Sequence, residues 1–195
     1  MSTGVFSAVA IGASAGALEA LSKILPPLPA DYPLAVLVVV HLPPDKDSLL
    51  ASILGEKCAM AVKEAEDKES IEPGTIYIAP PGYHLLVEKD GTLSLSSEEE
   101  VLFSRPSIDV LFESAADAFG GELIGIVLTG ANSDGAAGLQ AIGRAGGTAF
   151  AQDPLQAFAS TMPRAALEAC PTACSLKLAD IAMQLLSLPT QGELL

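Results

Sequence analysis

Val5-Phe6-Ser7-Ala8-Val9-Ala10-Ile11 runs into Gly12-Ala13-Ser14-Ala15-Gly16 and then into Ala17-Leu18-Glu19-Ala20-Leu21. A near-continuous apolar run is the mark of a strand buried on both faces, as happens when helices cover either side of a parallel sheet. The small residues that follow let the backbone turn sharply out of the strand, into a helix that starts near Gly16. Similar runs recur at Leu34 to Val40, Thr75 to Ala79, Leu123 to Leu128 and Thr148 to Ala151, with helical segments between several of them. This alternation predicts an α/β fold, a doubly wound and mainly parallel sheet with helices on both faces. The length of 195 residues fits one domain spanning 1–195.

The helices carry legible signals. Ser107, placed after Arg105 and Pro106, is positioned to cap a segment in which Ile108, Leu111, Phe112, Ala115, Ala118 and Phe119 recur at helical spacing, and Gly120 and Gly121 end it. Leu139, Ile142 and Ala145 mark a second helix stopped by Gly146 and Gly147, and Leu178 to Leu188 a C-terminal one. His84 to Glu88 and Thr92 to Ser96 read as a small antiparallel hairpin joined across Asp90-Gly91, expected at a sheet edge. Glu98 to Glu100 reads as a solvated acidic loop.

Composition narrows the functions. The formal charge of −14 repels phosphate backbones, and with no Trp there is no aromatic and basic groove, so nucleic acid is not an expected partner. The apolar N-terminal stretch lacks a basic flank and is interrupted by Glu19 and Lys23, which argues against a signal peptide or membrane insertion and for a cytoplasmic protein. Cys58, Cys170 and Cys174 lack paired spacing and have only two histidines to join them, so they read as reduced, mostly packed thiols; no metal and no other cofactor is expected.

In open α/β sheets ligands bind at the carboxyl ends of strands, and three strands here end in reactive residues. The first ends in the G-x-S-x-G turn around Ser14, a shape that exposes a serine hydroxyl but equally serves as a phosphate cradle. The second ends at His41, just before Leu42-Pro43-Pro44, a break that stops the strand. A dinucleotide site wants a carboxylate there to hold the ribose; Asp31, the nearest acidic residue at a suitable distance, precedes the strand instead. The third leads into Thr129-Gly130-Ala131-Asn132-Ser133-Asp134-Gly135, where Asp134, considered alone, reads as the N-cap of the following helix.

Taken together, Ser14, His41 and Asp134 supply a nucleophile, a base and an orienting acid on one rim of the sheet. His41 would take the Ser14 proton and return it to a departing alcohol, while Asp134 holds the imidazole in the right tautomer. Amides near Ala131 or in the turn after Ser14 are both candidates for holding an oxyanion. Arg105 is a candidate for binding acidic groups of a substrate, or a surface arginine ahead of a Pro-Ser helix start, and Arg164 has the same two readings. His84 reads as a structural hydrogen-bonding residue.

Beyond these segments, Ile11 to Gly16, Val40 to Pro44, Val62-Lys63-Glu64-Ala65, Pro73 to Pro80, Arg105 to Phe112, Leu128-Thr129-Gly130, Ser133 to Gly138 and Met162-Pro163-Arg164 form a colinear series over nearly the whole chain. The series resembles the catalytic domain of the bacterial chemotaxis protein-glutamate methylesterase family. The resemblance implies a metal-free Ser14, His41 and Asp134 triad that hydrolyses glutamyl methyl esters on the cytoplasmic region of methylated chemoreceptors, releasing methanol, and in some members deamidates glutamines. Usual members carry an N-terminal receiver domain, whereas this chain begins essentially at the first catalytic strand: either it works without a receiver of its own, with a separate receiver or scaffold protein as a candidate partner, or it is a fragment. Relatives with Thr-Gly-Met-Gly have a bulkier loop than Thr129-Gly130-Ala131-Asn132, and many have threonine where this chain has Ala15.

Overall fold

A computed structural model of the chain describes residues 7–41 and 49–188. The apolar runs form the expected sheet. β1 (Ala8–Ala13), β2 (Ala35–Val40), β4 (Thr75–Ile78), β7 (Leu123–Val127) and β8 (Thr148–Gln152) are flanked by β3 (Ala61–Glu64) and β9 (Cys174–Leu176). The order is β3-β4-β2-β1-β7-β8-β9, with every pair parallel. The chain grows outward from β1 through β2 and then resumes on the other side with β7. The strand order therefore reverses at β1, the place where such sheets open a crevice. The turn after β1 carries Ser14, β2 leads directly into His41, and the loop after β7 carries Asp134. The segment Leu42-Pro43-Pro44, read as the break that stops β2, lies outside the described residues.

Alternate residues of each central strand enter two cores, as the two-residue side-chain period requires. Val9, Ile11, Val36, Val38, Ile124 and Ile126 pack with α1 (Ala17–Ile24), α2 (Leu50–Gly55) and α6 (Leu178–Leu186). Ala8, Ala10, Leu37, Val39 and Val127 pack with α3 (Ile108–Phe119), α4 (Ala136–Arg144) and α5 (Thr161–Ala169). The second face is lined by smaller side chains on β1, so α3 comes in close: a Cβ on Gly12 would lie 2.3 Å from Ile108 Cγ2.

The hairpin of β5 (His84–Val87) and β6 (Leu93–Ser96) is present but does not extend the sheet. It forms a separate two-stranded sheet, with Leu85, Val87 and Leu93 buried against the α3 side of the core. Its apolar residues thus cover α3, which an edge strand could not do while pairing with the main sheet. β3 and β9 were not visible in the sequence pattern, because both are short edge strands with half-exposed, partly polar residues. The cysteines are mostly packed, as expected: Cys170 is buried and Cys58 half-buried, Cys174 is exposed on β9, and all three are free. Among the described residues no helix is long and apolar enough to cross a membrane.

Gly12→Ala tests the close approach of α3. The added methyl must displace Ile108 in a packed core, so the variant should lose about 1–3 kcal/mol in urea unfolding. An unchanged midpoint would show that Ile108 has room to yield.

Candidate active site

The two glycines of the Ser14 turn meet different demands. Gly12 leaves room for Ile108, whereas Gly16 has φ 84, a left-handed conformation in which a Cβ would also meet Phe158 and Thr129. Ser14 itself is tied by its backbone, the amide donating to Thr129 O at 2.9 Å. Thr129 Oγ1 donates to Ala15 O at 2.8 Å and accepts from Ala159 N at 2.9 Å, and Gln152 Oε1 accepts the Thr129 amide at 2.9 Å. The turn is therefore held from β7 and β8 as well as by its own strand.

His41 is placed by its backbone amide, which donates to Ala13 O at 3.2 Å beside Ser14. Its Nε2 lies 2.7 Å from Oδ2 of the fully buried Asp134. The structure thus brings Ser14 and His41 to adjoining strand ends and bonds His41 to Asp134. Among the described residues Ser14 Oγ has no hydrogen-bond partner.

Asp134 is held by more than His41. Its Oδ1 accepts from Ser107 Oγ at 2.8 Å and Asp109 N at 3.0 Å, and its Oδ2 accepts from Ile108 N at 2.7 Å. These amides are orphan donors at the start of α3, so Asp134 caps α3 and not the helix that follows it in sequence. Ser107 is displaced from the capping role its position suggested; its hydroxyl makes no cap bond within α3 and donates to Asp134 instead. Burial alone would raise the Asp134 carboxyl, and it is the largest single influence. The bonds from His41, Asp109, Ile108 and Ser107 together outweigh it and hold the group below the usual carboxylate range. An ionised Asp134 is an acceptor only, so His41 Nε2 carries the proton between them.

The arrangement is reciprocal. Asp109, in the first turn of α3, accepts the amide of Gly138 in the first turn of α4 at 2.7 Å. Each helix start is thus capped by an aspartate from across the α3 and α4 interface. Asn132, one of the departures in the loop, accepts the Asp134 amide through its side-chain oxygen at 3.2 Å and so steadies the turn that delivers the carboxylate. No spacing rule reveals Asp109 or Ser107 as parts of this cluster, because their contacts join segments distant in sequence.

The remaining candidates take supporting places. His84 is buried, with Nδ1 accepting from Ser107 N at 3.1 Å and Nε2 donating to Glu99 O at 2.9 Å, the structural role expected of it. Arg105 Nη1 donates to the carbonyls of Ser97 and Glu98 at 3.0 and 2.8 Å, so that part of the guanidinium anchors this loop; its Nε is buried without a partner. Arg164 is exposed on α5, and Glu98 to Glu100 are exposed as expected. Among the described residues no group of His, Cys, Asp and Glu is placed to hold a metal.

A family model described as CheB methylesterase matches residues 9–185. The chain belongs to the CheB methylesterase family. This is a family of enzymes, and the chain is accordingly a methylesterase-type hydrolase. A relative from Leptospira interrogans is 49% identical over 91% of this chain and 92% of its own length. A Bordetella parapertussis protein named protein-glutamate methylesterase/protein-glutamine glutaminase is 43% identical over 92% of this chain, which spans only 52% of that relative. The crystal structure of the Thermotoga maritima CheB methylesterase catalytic domain superposes with a TM-score of 0.88 at 31% identity, covering 95% of this chain and all of the other. The doubly wound architecture read from the sequence is thus that of the CheB catalytic domain.

The two aspartates respond to pH in opposite senses. The Asp109 carboxyl is pushed up to about 6, chiefly by burial; the Gly138 amide pulls it down, while the charges of Asp134 and Glu113 add to the rise. A raised acid stabilises the fold when protonated, fully below its ordinary value of 3.8 and no longer once pH has risen through about 6. The depressed Asp134 contributes above 3.8 and loses its contribution as pH falls. Asp109→Asn removes the first effect, so its stability relative to wild type should improve by up to about 3 kcal/mol between about pH 4 and about pH 7. Urea melts that shift in parallel with pH would show that Asp109 does not titrate in this window.

Proposed function

We propose that this chain hydrolyses glutamyl methyl esters on the cytoplasmic region of chemoreceptors, releasing methanol, and that it also deamidates glutamines there. The observation that carries the reading is the 2.7 Å contact between His41 Nε2 and the buried, ionised Asp134, beside the strand end that presents Ser14. An imidazole fixed through Nε2 has Nδ1 left for the Ser14 hydroxyl. This reverses the ring orientation of the serine-protease template, where Nδ1 faces the aspartate.

Ser14 Oγ attacks the ester carbonyl as Nδ1 takes its proton, and Asp134 stabilises the imidazolium so formed. The tetrahedral oxyanion collapses, the C–O bond to the methoxy group breaks, and Nδ1 returns the proton to give methanol and an acyl-Ser14. Water, deprotonated by the same nitrogen, then attacks the acyl carbonyl, the bond to Ser14 Oγ breaks as Nδ1 returns the proton to it, and the glutamate leaves. With a glutamine side chain the leaving group is ammonia. The Ser14 and Gly130 amides are already bonded to Thr129 O and Ala159 O, so the oxyanion donors are drawn from the other amides of the two segments, those of Ala15 and Gly16 in the turn and of Ala131 and Asn132 in the loop.

The partner proposed is a methylated helical segment, reached without insertion into the membrane. Methanol release from a methyl-labelled receptor cytoplasmic fragment tests the reading. Ser14→Ala should abolish release with folding intact, and Asp134→Asn should lower turnover by up to ~10⁴-fold. Release by Ser14→Ala at the wild-type rate would sink it.

A further inference from the structure

Next to the Ser14 turn is a recess of about 230 Å³, bounded by Gly16 and Thr129 on one side and by Leu155, Phe158 and the α1 residue Lys23 on others. Gln152, at the end of β8, contributes to its lining and is only 2% exposed. Its oxygen is committed to the Thr129 amide, and among the described residues its Nε2 has no partner. With the side chain buried as a whole and its oxygen already used, the NH₂ is left as a donor for an acceptor that enters the recess. The other charged groups here do not compete for that place, since Lys23 Nζ is paired with Glu19 at 2.7 Å and both are exposed. Leu155 and Phe158, 86% and 80% exposed, give the recess an apolar lip.

We propose that this recess is a substrate subsite that takes a second side chain of the target helix, one that ends in a carbonyl group, with Gln152 Nε2 as its donor. The proposal rests on the esterase reading above and adds a specificity determinant to it. Residues three and four apart share one face of a helix. A helix presenting its esterified glutamate to Ser14 therefore has a side chain one turn away to offer the neighbouring recess. A carboxamide and a carboxylate both supply the acceptor; an aliphatic side chain leaves the Gln152 donor buried and unpaired. That asymmetry, and not attraction alone, is what makes a polar pocket selective.

The test uses helical peptides with one glutamate methyl ester and Gln, Glu or Leu placed three or four residues to either side, scored by methanol release. Wild type should favour Gln or Glu over Leu at one of these positions by about fivefold in kcat/KM, mainly through KM. The Gln and Glu peptides tell which carbonyl source the site takes. Gln152→Glu retains an oxygen for the Thr129 amide but loses the pocket-facing donor, and should bring that ratio close to one. Ala157→Leu, which fills the recess from its lining and leaves Gln152 in place, should do the same. Equal rates on all peptides with wild type, or an undiminished preference in both variants, would overturn the subsite while leaving the esterase standing. No Ser14-dependent hydrolysis of any peptide would overturn the esterase reading, and the subsite with it.

Discussion

The carboxylate of Asp134 is the interaction on which this molecule depends. It is fully buried and accepts bonds from His41, Ser107, Ile108 and Asp109. Burial on that scale would expel a charge unless donors surround it. The start of α3 supplies those donors because its first amides have no partners within the helix. One group thus answers two needs: the helix start requires an acceptor, and the imidazole requires an anion. Asp109 returns the arrangement at the start of α4 through Gly138, so the two helices are locked where they approach the sheet rim.

That lock sits where it does because of the sheet. With β1 at the reversal of strand order, the turns leaving β1, β2 and β7 open on the same edge. The α3 face of β1 is built from Ala8, Ala10 and Gly12, small enough for Ile108 to settle against the strand. The Ile108 amide then reaches Asp134. A packing decision in the first strand therefore sets the position of a carboxylate more than a hundred residues later in the chain.

The central strands, the hairpin and α3 were legible because their apolar periodicity reflects burial that any compact arrangement would impose. The meeting of Ser14, His41 and Asp134 at one rim of the sheet is legible because Ser14 and His41 directly follow such strands and Asp134 lies in the loop after another. The roles of Ser107, Asp109, Thr129 and Gln152 were not: a serine ahead of a helix reads as its cap, and only the folded chain shows its hydroxyl turned toward Asp134. The edge strands Ala61–Glu64 and Cys174–Leu176 are not legible, because exposed and half-exposed positions carry no apolar pattern. The hairpin is legible but its placement is not, since pairing with a sheet edge and packing on a helix demand similar residues.

The double duty of Asp134 has an evolutionary consequence. A lineage that abandoned the proposed chemistry would be free to vary Ser14, whose side chain holds nothing else in place among the described residues. It would not be free to vary Asp134, because the same atoms close the start of α3. An inactive descendant of this fold is therefore expected to retain the aspartate as a fossil of architecture, and the presence of the acid alone is poor evidence that such a descendant still works as a hydrolase.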